Sequence, residues 1–515
     1  MKIQGRPKPI NKQMRVLATL RTKFTDIGPA STVVRHAALL GTGAVFAQAI
    51  QALATPILGR LYEPKVYGLW ALLLSVAAIP SALGGFRYEL ALLLSKTDSE
   101  RARVLLLQTI CNVLTTGLTV GIILLVGRWV ATIVGSGALL PYMYAVPLLV
   151  FFTGASAAAM NWLTSAKQFG RLAKFRAAQS ISTAGIQLGA AVLCGGRVVA
   201  LVAGGVCGLL LPLLLLVKPV VALSRSVRPG ALSIARVWSC AAAHRRFPLF
   251  VVPYGYIGVL RERGLIMLLG IYATTRDIGL YSLALRLAYV PVTLISAAVS
   301  PIVYQRAAQD YGRDDLAFFI HKVLRTLVIA ATPIFVIVAW YARDVFAMFL
   351  GKRWIDAGVY ATILAGPAST QLCAGVLDRM MDIIGKQHAA LILESVYTAV
   401  ALAAFVLGLT FLKSVFLTIA LFAVVTMAYH VAWILTVYLL FRFPCRDLLA
   451  VAATFLSLAA ATVAVLWSVR TICSPLMGVA LTSLLAGAYY LRFVSRFRSL
   501  TAGVSPAVVA GRAEC

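Results

Sequence analysis

The feature that most restricts the fold of this chain is a series of long apolar runs that recur along almost its whole length. A helix needs roughly 20 predominantly apolar residues to cross about 30 Å of hydrocarbon, and fourteen runs approach that length. Because the runs are continuously apolar rather than alternating, they predict helices and exclude a membrane β-barrel. The predicted transmembrane helices are 36–58, 66–86, 104–126, 139–162, 175–195, 198–217, 247–272, 278–304, 323–344, 357–381, 389–411, 415–441, 449–468 and 475–492.

The composition agrees with an all-α polytopic membrane protein, since 61% of the residues are hydrophobic and only 12% are charged. The net charge of +30 raises the alternative of nucleic-acid binding, so the distribution of Lys and Arg decides between them. With the N-terminus inside, 34 of the 47 Lys and Arg residues belong to inner segments and 10 to outer ones, counting span ends with their adjoining loops. The positive-inside rule therefore accounts for the basic excess, predicts two cytoplasmic termini and excludes nucleic acid as a partner.

The chain also contains an internal repeat with an offset of 211 residues. The offset aligns Leu58–Leu83 with Leu269–Leu294, and two glycines and a proline match in register. The matched pairs are Gly59 with Gly270, Gly68 with Gly279, and Pro80 with Pro291. Six spans separate the matching positions, so the repeat predicts two six-helix lobes of the same orientation.

The repeat and the basic stretches together predict the domain organisation. The expected parts are a basic cytoplasmic segment at 1–35, lobes at 36–220 and 247–441, a cytoplasmic linker at 221–246, two additional transmembrane helices at 442–492 and a cytoplasmic tail at 493–515. Pro80 and Pro291 each fall inside a predicted span, where proline removes a helical hydrogen bond and favours a kink. They are candidate hinges, although proline in a span can also be merely tolerated.

Two stretches resemble a known family of transporters. The first, QALATPILGRLYEPKVYGLWALLLSVAAIPSALGGFRYELALLL, contains a P-x-L-x-R-L-Y-x-P-x-x-Y-G core from Pro56 to Gly68. The second half begins with FPLFVVPYGYIG and continues with IGLYSLALRLAYVPVTLISAAVSPIVYQRAA. Both are similar to the polysaccharide and O-antigen flippases, the Wzx-like branch of the multidrug/oligosaccharidyl-lipid/polysaccharide exporter superfamily. The family differs in having uncharged polar residues where this chain has Arg261-Glu262-Arg263.

This resemblance implies both a fold and a function. The fold would be a V-shaped bundle of two lobes in the bacterial inner membrane. The function would be to move a polyprenyl-pyrophosphate-linked oligosaccharide from the inner to the outer leaflet by alternating access, for O-antigen, capsule or exopolysaccharide synthesis. Its expected partners are this lipid-linked substrate, membrane lipids, and the polysaccharide polymerase and export proteins.

Three consecutive charges, Arg261, Glu262 and Arg263, interrupt the seventh predicted span. Each costs about 2.5–3.5 kcal/mol at mid-bilayer on insertion scales, so they must be paired or face water. Arg261 and Arg263 point about 200° apart on a regular helix. Either the helix opens locally, or a neighbouring helix neutralises one arginine.

A polar layer surrounds these charges. Arg263 and Arg286 lie at about the same depth in adjacent spans, and the offset places Glu262 on Gln51, with Gln48 one turn earlier. The sequence thus predicts a chamber between the lobes that is positive on the second lobe and polar but uncharged on the first. Arginine suits phosphate oxygens, which predicts substrate binding by Arg261, Arg263 and Arg286. The alternative is an ion-pair lock between the lobes that includes Glu262 and touches no substrate.

Other charged positions have weaker interpretations. Arg60 lies at the outer end of the first span, and Arg87 and Glu89 lie near the inner end of the second. They are candidates for a gate or for substrate access, or they simply mark the membrane interface. Glu394 lies about six residues into its span, where it would couple transport to protons or sodium or would form an interhelical hydrogen bond.

Functions of other classes have less support. A membrane polysaccharide polymerase or ligase needs catalytic groups in sizeable outer loops, and the outer loops here are short. The sequence has neither an HExxH motif nor a phosphate-binding loop, and its eight cysteines are scattered singly, so we expect no enzyme activity, no metal site and no cofactor. A cation-coupled drug exporter of the same superfamily remains the closest rival. We expect such a protein to have carboxylates, rather than arginines, in its chamber.

Overall fold

The computed structural model describes residues 29–134, 137–227, 230, 232–312, 315–472, 477–479, 481–482, 484–489 and 492. All regular structure in these residues is helical, and the long helices are apolar. The chain is therefore an all-α, multi-pass membrane protein, as its composition predicts. Most of the predicted basic segment 1–35 and the whole tail 493–515 lie outside the described residues.

The first half contains six long helices and two shorter ones that follow them. Their bounds are α1 Pro29–Leu61, α2 Pro64–Leu83, α3 Asp98–Ile133, α4 Val146–Ser165, α5 Phe169–Cys194, α6 Val198–Leu214, α7 Val217–Ser226 and α8 Ile234–Ala243. Short helical turns occur at Gly84–Leu94, Gly137–Leu139 and Leu140–Met143. Because α7 and α8 have ten residues each, they are too short to cross a bilayer.

The second half repeats the series of long helices. Their bounds are α9 Val252–Tyr272, α10 Thr275–Ala288, α11 Val290–Gln309, α12 Asp315–Phe349, α13 Ile355–Val376, α14 Gln387–Leu407, α15 Val415–Leu440 and α16 Cys445–Ile472. Shorter turns occupy Phe247–Val251, Lys352–Trp354, Met380–Ile383 and Gly408–Leu412. Further helical residues lie at 477–479, 481–482, 484–489 and 492, within the fourteenth predicted run.

Fewer helices than fourteen are apolar enough to be recognised as spans on their own. Within the described ranges, nine pass a test of length and hydropathy, or ten if the bent pair Val198–Leu214 and Val217–Leu223 is one span. Every predicted run nevertheless coincides with helical residues. Helix α9 fails such a test because it contains three charges in its middle. The number of membrane crossings therefore stays a prediction. The order of the long helices along the chain agrees with the order of the predicted runs.

The apolar core that the two halves share lies at one end of the bundle. The largest buried apolar cluster contains residues of both halves, among them Leu72 and Tyr281, where α2 packs on α10. Arg60 and Trp354, both in predicted outer loops or span ends, lie at this joined end. Separate clusters around Phe175 in the first half and around other side chains in the second lie towards the inner ends. The bundle is therefore closed on its predicted outer side.

The two prolines of the repeat occupy different places in their helices. Pro291 is the second residue of α11, directly after the break that follows Ala288. Pro80 lies inside α2, and the break in the first half comes only after Leu83. There, Gly85, Phe86 and Arg87 adopt positive φ values of 68°, 48° and 61°. Each half therefore has a break in the helix near its repeat proline, but the two breaks are not at matching positions. In the first half the break is a left-handed turn, which Gly85 allows.

Candidate functional site

A cavity of about 840 Å³ lies between the two halves of the bundle. Its wall in the first half comes from α1 and α2, and its wall in the second half comes from α9, α10, α11, α13, α14 and α15. Five of the six side chains predicted for the polar chamber line it, namely Gln48, Arg261, Glu262, Arg263 and Arg286, whereas Gln51 is not among the lining residues. Glu394, which was predicted as a coupling residue or an interhelical hydrogen-bond partner, also lines the cavity. The structure thus gathers residues that are up to 346 positions apart in the sequence around one space.

Arg286 joins the two halves across this cavity. Its Nη2 donates to Gln51 Oε1 at 2.8 Å, and its Nη1 donates to the Tyr67 hydroxyl at 3.1 Å. Gln51 in turn donates from Nε2 to the Ser180 carbonyl at 3.1 Å, which fixes its amide. Both partners of Arg286 in the first half are uncharged. Neither partner is a carboxylate, so these two contacts do not balance the charge of the half-buried guanidinium.

Arg261 forms an ion pair with Glu394 rather than with the adjacent Glu262. The contact joins Arg261 Nη1 to Glu394 Oε1, and the side chains are 21% and 15% exposed. The Arg261 guanidinium also lies over the Tyr397 ring, 4.6 Å from its centroid, in a cation–π contact. Because α9 is unbroken from Val252 to Tyr272, a neighbouring helix neutralises this arginine, which is the second of the two arrangements expected for it.

The same pair revises the predicted lock. Arg261 and Glu394 belong to α9 and α14, which are both in the second half, so their ion pair does not join the lobes. No ion pair joins Glu262 to Arg261 or to Arg263 in the part of the chain that the structure describes. Successive residues on a helix diverge by about 100°, which separates these three side chains. The contact that does join the lobes at this level is that of Arg286 with Gln51 and Tyr67.

Two aromatic rings extend the network around Glu394. Tyr429 donates its hydroxyl to Glu394 Oε2 at 2.5 Å, and its ring stacks on Tyr397 at a centroid distance of 3.9 Å. Tyr397 donates to Thr426 Oγ1 at 3.0 Å. These residues were missing from the sequence analysis. Glu394 and Tyr397 are three positions apart, which places them on one face of a helix. This spacing is the one feature of the sequence that could have indicated their contact with the same site.

The balance of charge in the cavity differs from the predicted positive chamber. The lining includes three arginines but also three acidic residues, Glu262, Asp378 and Glu394, so its formal charge is zero. Asp378, which lies just after the end of α13, was not predicted to line the chamber. The charges are nevertheless unevenly placed, because Glu394 is occupied by Arg261 whereas Arg286 bonds only to uncharged groups.

Arg60 lies outside the cavity, at the joined end of the bundle. Its Nε donates to the Phe349 carbonyl at 2.9 Å and its Nη2 to the Met348 carbonyl at 2.7 Å, both at the end of α12. A cation at a helix C-terminus satisfies the last carbonyls and complements the helix dipole. Trp354 Nε1 donates to the Gly59 carbonyl at 2.7 Å beside it. Arg60 thus ties the first half to the second at the predicted outer surface.

Arg87 and Glu89 lie at the opposite end, next to the break after α2. Arg87 Nη1 is 3.8 Å from Glu89 Oε1, and the two side chains are 33% and 5% exposed. The Arg87 guanidinium reaches α9 in the second half, since a Cβ on Gly255 would lie 2.8 Å from its Nη2. This contact joins the two halves at the predicted inner end, and a larger side chain in place of Gly255 would obstruct it.

No group of three or more His, Cys, Asp or Glu side chains suited to a metal ion occurs in the described ranges. His430, although it lines the cavity, is buried and contacts Thr370 Oγ1 through Nδ1 at 2.8 Å. The lining of the cavity combines arginines, carboxylates, amides and hydroxyls with aromatic and aliphatic side chains. Such a lining is suited to binding a charged organic molecule.

Comparison with known proteins gives a family and a fold. The model of a family described as polysaccharide biosynthesis protein matches residues 57–358, which include α2 to α12 and the cavity arginines. Among curated proteins, none matches the chain. The region matched begins at the core of the signature discussed above and runs into the second half of the bundle.

Several solved structures share the fold. The inward closed conformation of the lipid II flippase MurJ has a TM-score of 0.68 and 12% identity, with 90% of this chain and 99% of that chain covered. An inward-facing multidrug resistance MATE family transporter of the MOP superfamily has a TM-score of 0.54 and 13% identity over 77% and 94% of the chains. A mutant of the Vibrio cholerae MATE transporter VcmN has a TM-score of 0.53 and 12% identity over 80% and 97%. At these identities, the likeness shows the fold alone.

Proposed function

The chain belongs to the polysaccharide biosynthesis protein family, which confirms the relationship predicted from its signature, and we propose that it is a flippase for a polyprenyl-pyrophosphate-linked oligosaccharide. It moves this lipid from the inner to the outer leaflet of the bacterial inner membrane by alternating access. It acts without catalysing a covalent step, and both of its termini lie in the cytoplasm. Its partners are the lipid-linked substrate, membrane lipids, and the polymerase and export proteins of surface polysaccharide synthesis.

The observation that carries this proposal is the position of Arg286 in the cavity. Its guanidinium has only uncharged partners, Gln51 and Tyr67, and lies between the halves. A pyrophosphate offers pairs of oxygens that match the planar donors of arginine. When the phosphate takes over these donors, the two hydrogen bonds that Arg286 makes to the first half break. Binding of the substrate and release of the lobes then become one event.

Arg263 supports the same interpretation. It lines the cavity on the helix next to Arg286 and has no ion-pair partner among the described residues. Arg261 would act differently, because Glu394 already occupies it. We assign Arg286 and Arg263 to the phosphate groups and Arg261 to the support of the cavity wall. Gln48, which lines the first half of the cavity without a charge, suits the sugar hydroxyls.

The second candidate function is a cation-coupled exporter of small molecules. It is favoured by the three carboxylates in the lining, Glu262, Asp378 and Glu394, beside the stacked tyrosines. Carboxylates and aromatic faces both bind organic cations. Two MATE family transporters share the fold. The family match to polysaccharide biosynthesis proteins and the position of Arg286 favour the flippase over this alternative.

The decisive experiment measures movement of a lipid in vesicles that contain the purified protein. The substrate is a polyprenyl-pyrophosphate-linked disaccharide with a fluorescent group that an impermeant reductant destroys on the outer leaflet only. Arg286→Ala should slow its movement about tenfold or more, since a hydrogen bond to a charged group contributes roughly 1.5–3 kcal/mol. Arg286→Lys should restore part of the rate, because lysine keeps the charge but lacks the planar fork.

The matched control is Arg276→Ala. Arg276 lies on the same helix as Arg286 but is exposed outside the cavity, paired with Asp356. Its removal changes the charge of the protein by the same amount and should leave the rate unchanged. Equal rates for Arg286→Ala and the wild type would contradict the proposal. Uptake of an organic cation by the same vesicles, abolished by Asp378→Asn but not by Arg286→Ala, would support the exporter instead.

A further inference from the structure

The short helix α8, Ile234–Ala243, lies between the two halves in sequence and packs on the first half in space. Val237 is buried with Tyr88 and Leu107 in a small apolar cluster. Leu107 belongs to the part of α3 that is predicted to enter the membrane, within the run 104–126. The Tyr88 hydroxyl also donates to the Ala241 carbonyl at 3.4 Å. These contacts hold α8 at the level of the membrane surface rather than out in the aqueous phase.

The outward face of α8 is apolar. Ile234 is 89% exposed and Trp238 is 77% exposed. They are four residues apart, so they form one stripe along the helix. Successive helical residues are about 100° apart, which puts this stripe next to the buried Val237 and not opposite to it. An exposed tryptophan at this level is typical of the interface between lipid and water.

The polar side of the same segment is basic. Residues 217–246 include six Lys and Arg and no Asp or Glu. Arg236, Arg245 and Arg246 are exposed in the structure. Arg236 is two positions from both Ile234 and Trp238, so it lies about 200° around the helix from the apolar stripe. An apolar stripe with basic residues on the polar side is the pattern of helices that lie in the plane of a membrane interface.

We propose that α8 binds the anionic headgroups of phospholipids. Arg236, Arg245 and Arg246 contact the phosphates, while Ile234 and Trp238 enter the apolar edge of the leaflet. The occupant of this face is the bilayer itself, because α8 already lies at the depth of the interface and its charge is complementary to an anionic surface. This binding site is separate from the cavity and does not rest on the proposed transport of a lipid-linked oligosaccharide.

The position of α8 connects this lipid contact with the contact between the halves at the predicted inner end. Tyr88, which bonds to Ala241 of α8, stands between Arg87 and Glu89 in the chain. Arg87 contacts α9 at Gly255, in the second half. A helix that is held on the headgroups therefore supports the segment that carries this contact between the halves. Loss of the anionic lipid should weaken both the placement of α8 and this contact.

The experiment uses the full chain in bilayers of equal parts phosphatidylcholine and phosphatidylglycerol. Bromine atoms, which quench tryptophan fluorescence on contact, are attached to one lipid or to the other, so that the composition stays the same. The signal of Trp238 is the difference between the wild type and Trp238→Phe. We expect quenching of this signal to be about twofold or more stronger when phosphatidylglycerol carries the bromine. High salt should reduce the preference, since it screens exposed charges.

The charges are tested by Arg236→Gln with Arg245→Gln and Arg246→Gln. This variant should lose the preference for phosphatidylglycerol and keep quenching by both lipids. The control, Arg276→Gln with Arg353→Gln, removes exposed arginines near the predicted outer end and should keep the preference. Equal quenching of the wild-type signal by both lipids would overturn the proposal. Quenching by neither lipid would also overturn it, because Trp238 would then face water or a soluble partner. The wild-type comparison remains decisive even if the triple variant does not fold.

Discussion

Gly68 of α2 and Gly279 of α10 lie against each other in a reciprocal contact between the two halves. A Cβ on Gly68 would lie 1.8 Å from the Thr275 carbonyl oxygen, and a Cβ on Gly279 would lie 1.9 Å from the Pro64 carbonyl oxygen. Thr275 and Pro64 are themselves 211 positions apart, as are the two glycines. Each half therefore presents the same surface to the other, as the subunits of a two-fold dimer do.

This contact predicts that alanine at Gly68 or Gly279 prevents closure at the outer end. A Cβ at either position overlaps backbone atoms, which cannot rotate away. The halves should separate there and expose the cavity. The measurement is labelling of Ser282→Cys, which lines the cavity, by an impermeant thiol reagent added outside, in a variant without its eight native cysteines.

The control for these variants is Gly258→Ala. A Cβ on Gly258 would meet nothing within 4 Å, so this change adds the same methyl group to a helix without a clash. It should leave labelling at the wild-type level. Unchanged labelling in both Gly68→Ala and Gly279→Ala, at normal abundance, would show that the glycine contact does not control the outer closure.

Removing Arg261 should lower the thermal stability of the protein, because Arg261 neutralises Glu394 in the wall of the cavity. Arg261→Ala leaves the half-buried Glu394 with only Tyr429 as a partner, and an unsatisfied group of this kind costs about 1–3 kcal/mol. The double change Arg261→Gln with Glu394→Gln removes both charges and should recover most of the loss. Thermal unfolding of the purified protein in detergent measures both effects. Arg276→Ala, which breaks an exposed ion pair, should change the midpoint little.

The prolines predict different effects on transport. Pro291→Ala should slow translocation, because Pro291 follows the break between α10 and α11, and alanine would favour a continuous helix there. Pro80→Ala should have a smaller effect, since the break in the first half depends on Gly85. The rate in vesicles, normalised to the amount of inserted protein, is the measurement. A Pro291→Ala rate equal to the wild type would remove this residue as a hinge.

Two native cysteines test the proposed orientation. Cys194 ends α5 and Cys445 begins α16, and both are exposed. With cytoplasmic termini, Cys194 faces outwards and Cys445 faces the cytoplasm. In variants that retain a single native cysteine, an impermeant maleimide added to whole cells or spheroplasts should label the protein with Cys194 and should not label the protein with Cys445. Labelling that depends on Cys445 would reverse the orientation.

The sequence predicted the helical class, the approximate helix positions and, apart from Asp378, the charged residues that line the cavity, because burial in a membrane requires long apolar runs with few exceptions. Arg286 was placed in the layer of Arg263 by depth, since the rise of 1.5 Å per residue converts position into depth, and Gln51 was added by the offset of the repeat. The hydrogen bond between Arg286 and Gln51 lies beyond such an argument, because depth says nothing of which helices are neighbours.

The partner of Arg261 illustrates what the sequence could not give. Glu262 is its neighbour in the chain, whereas Glu394 is 133 residues away. The choice between them depends on the packing of α14 against α9, which follows from the whole bundle. That Asp378 lines the cavity also depends on how the helices pack, and it could not be predicted from the sequence. Only the depth of a residue, and not its lateral neighbours, follows from hydropathy.

The ion pair of Arg261 and Glu394 has an electrical consequence. The pair is neutral as a unit, so a membrane potential exerts no net force on it when the second half moves. A charge that crosses the whole field experiences about 2.3 kcal/mol per 100 mV. Any voltage dependence of transport must then originate from the substrate or from the charges of the cavity that lack an ionic partner, Arg263, Arg286, Glu262 and Asp378. Two of these are positive and two are negative, so their own displacement would largely cancel, and the charge of the cargo would set the dependence on voltage.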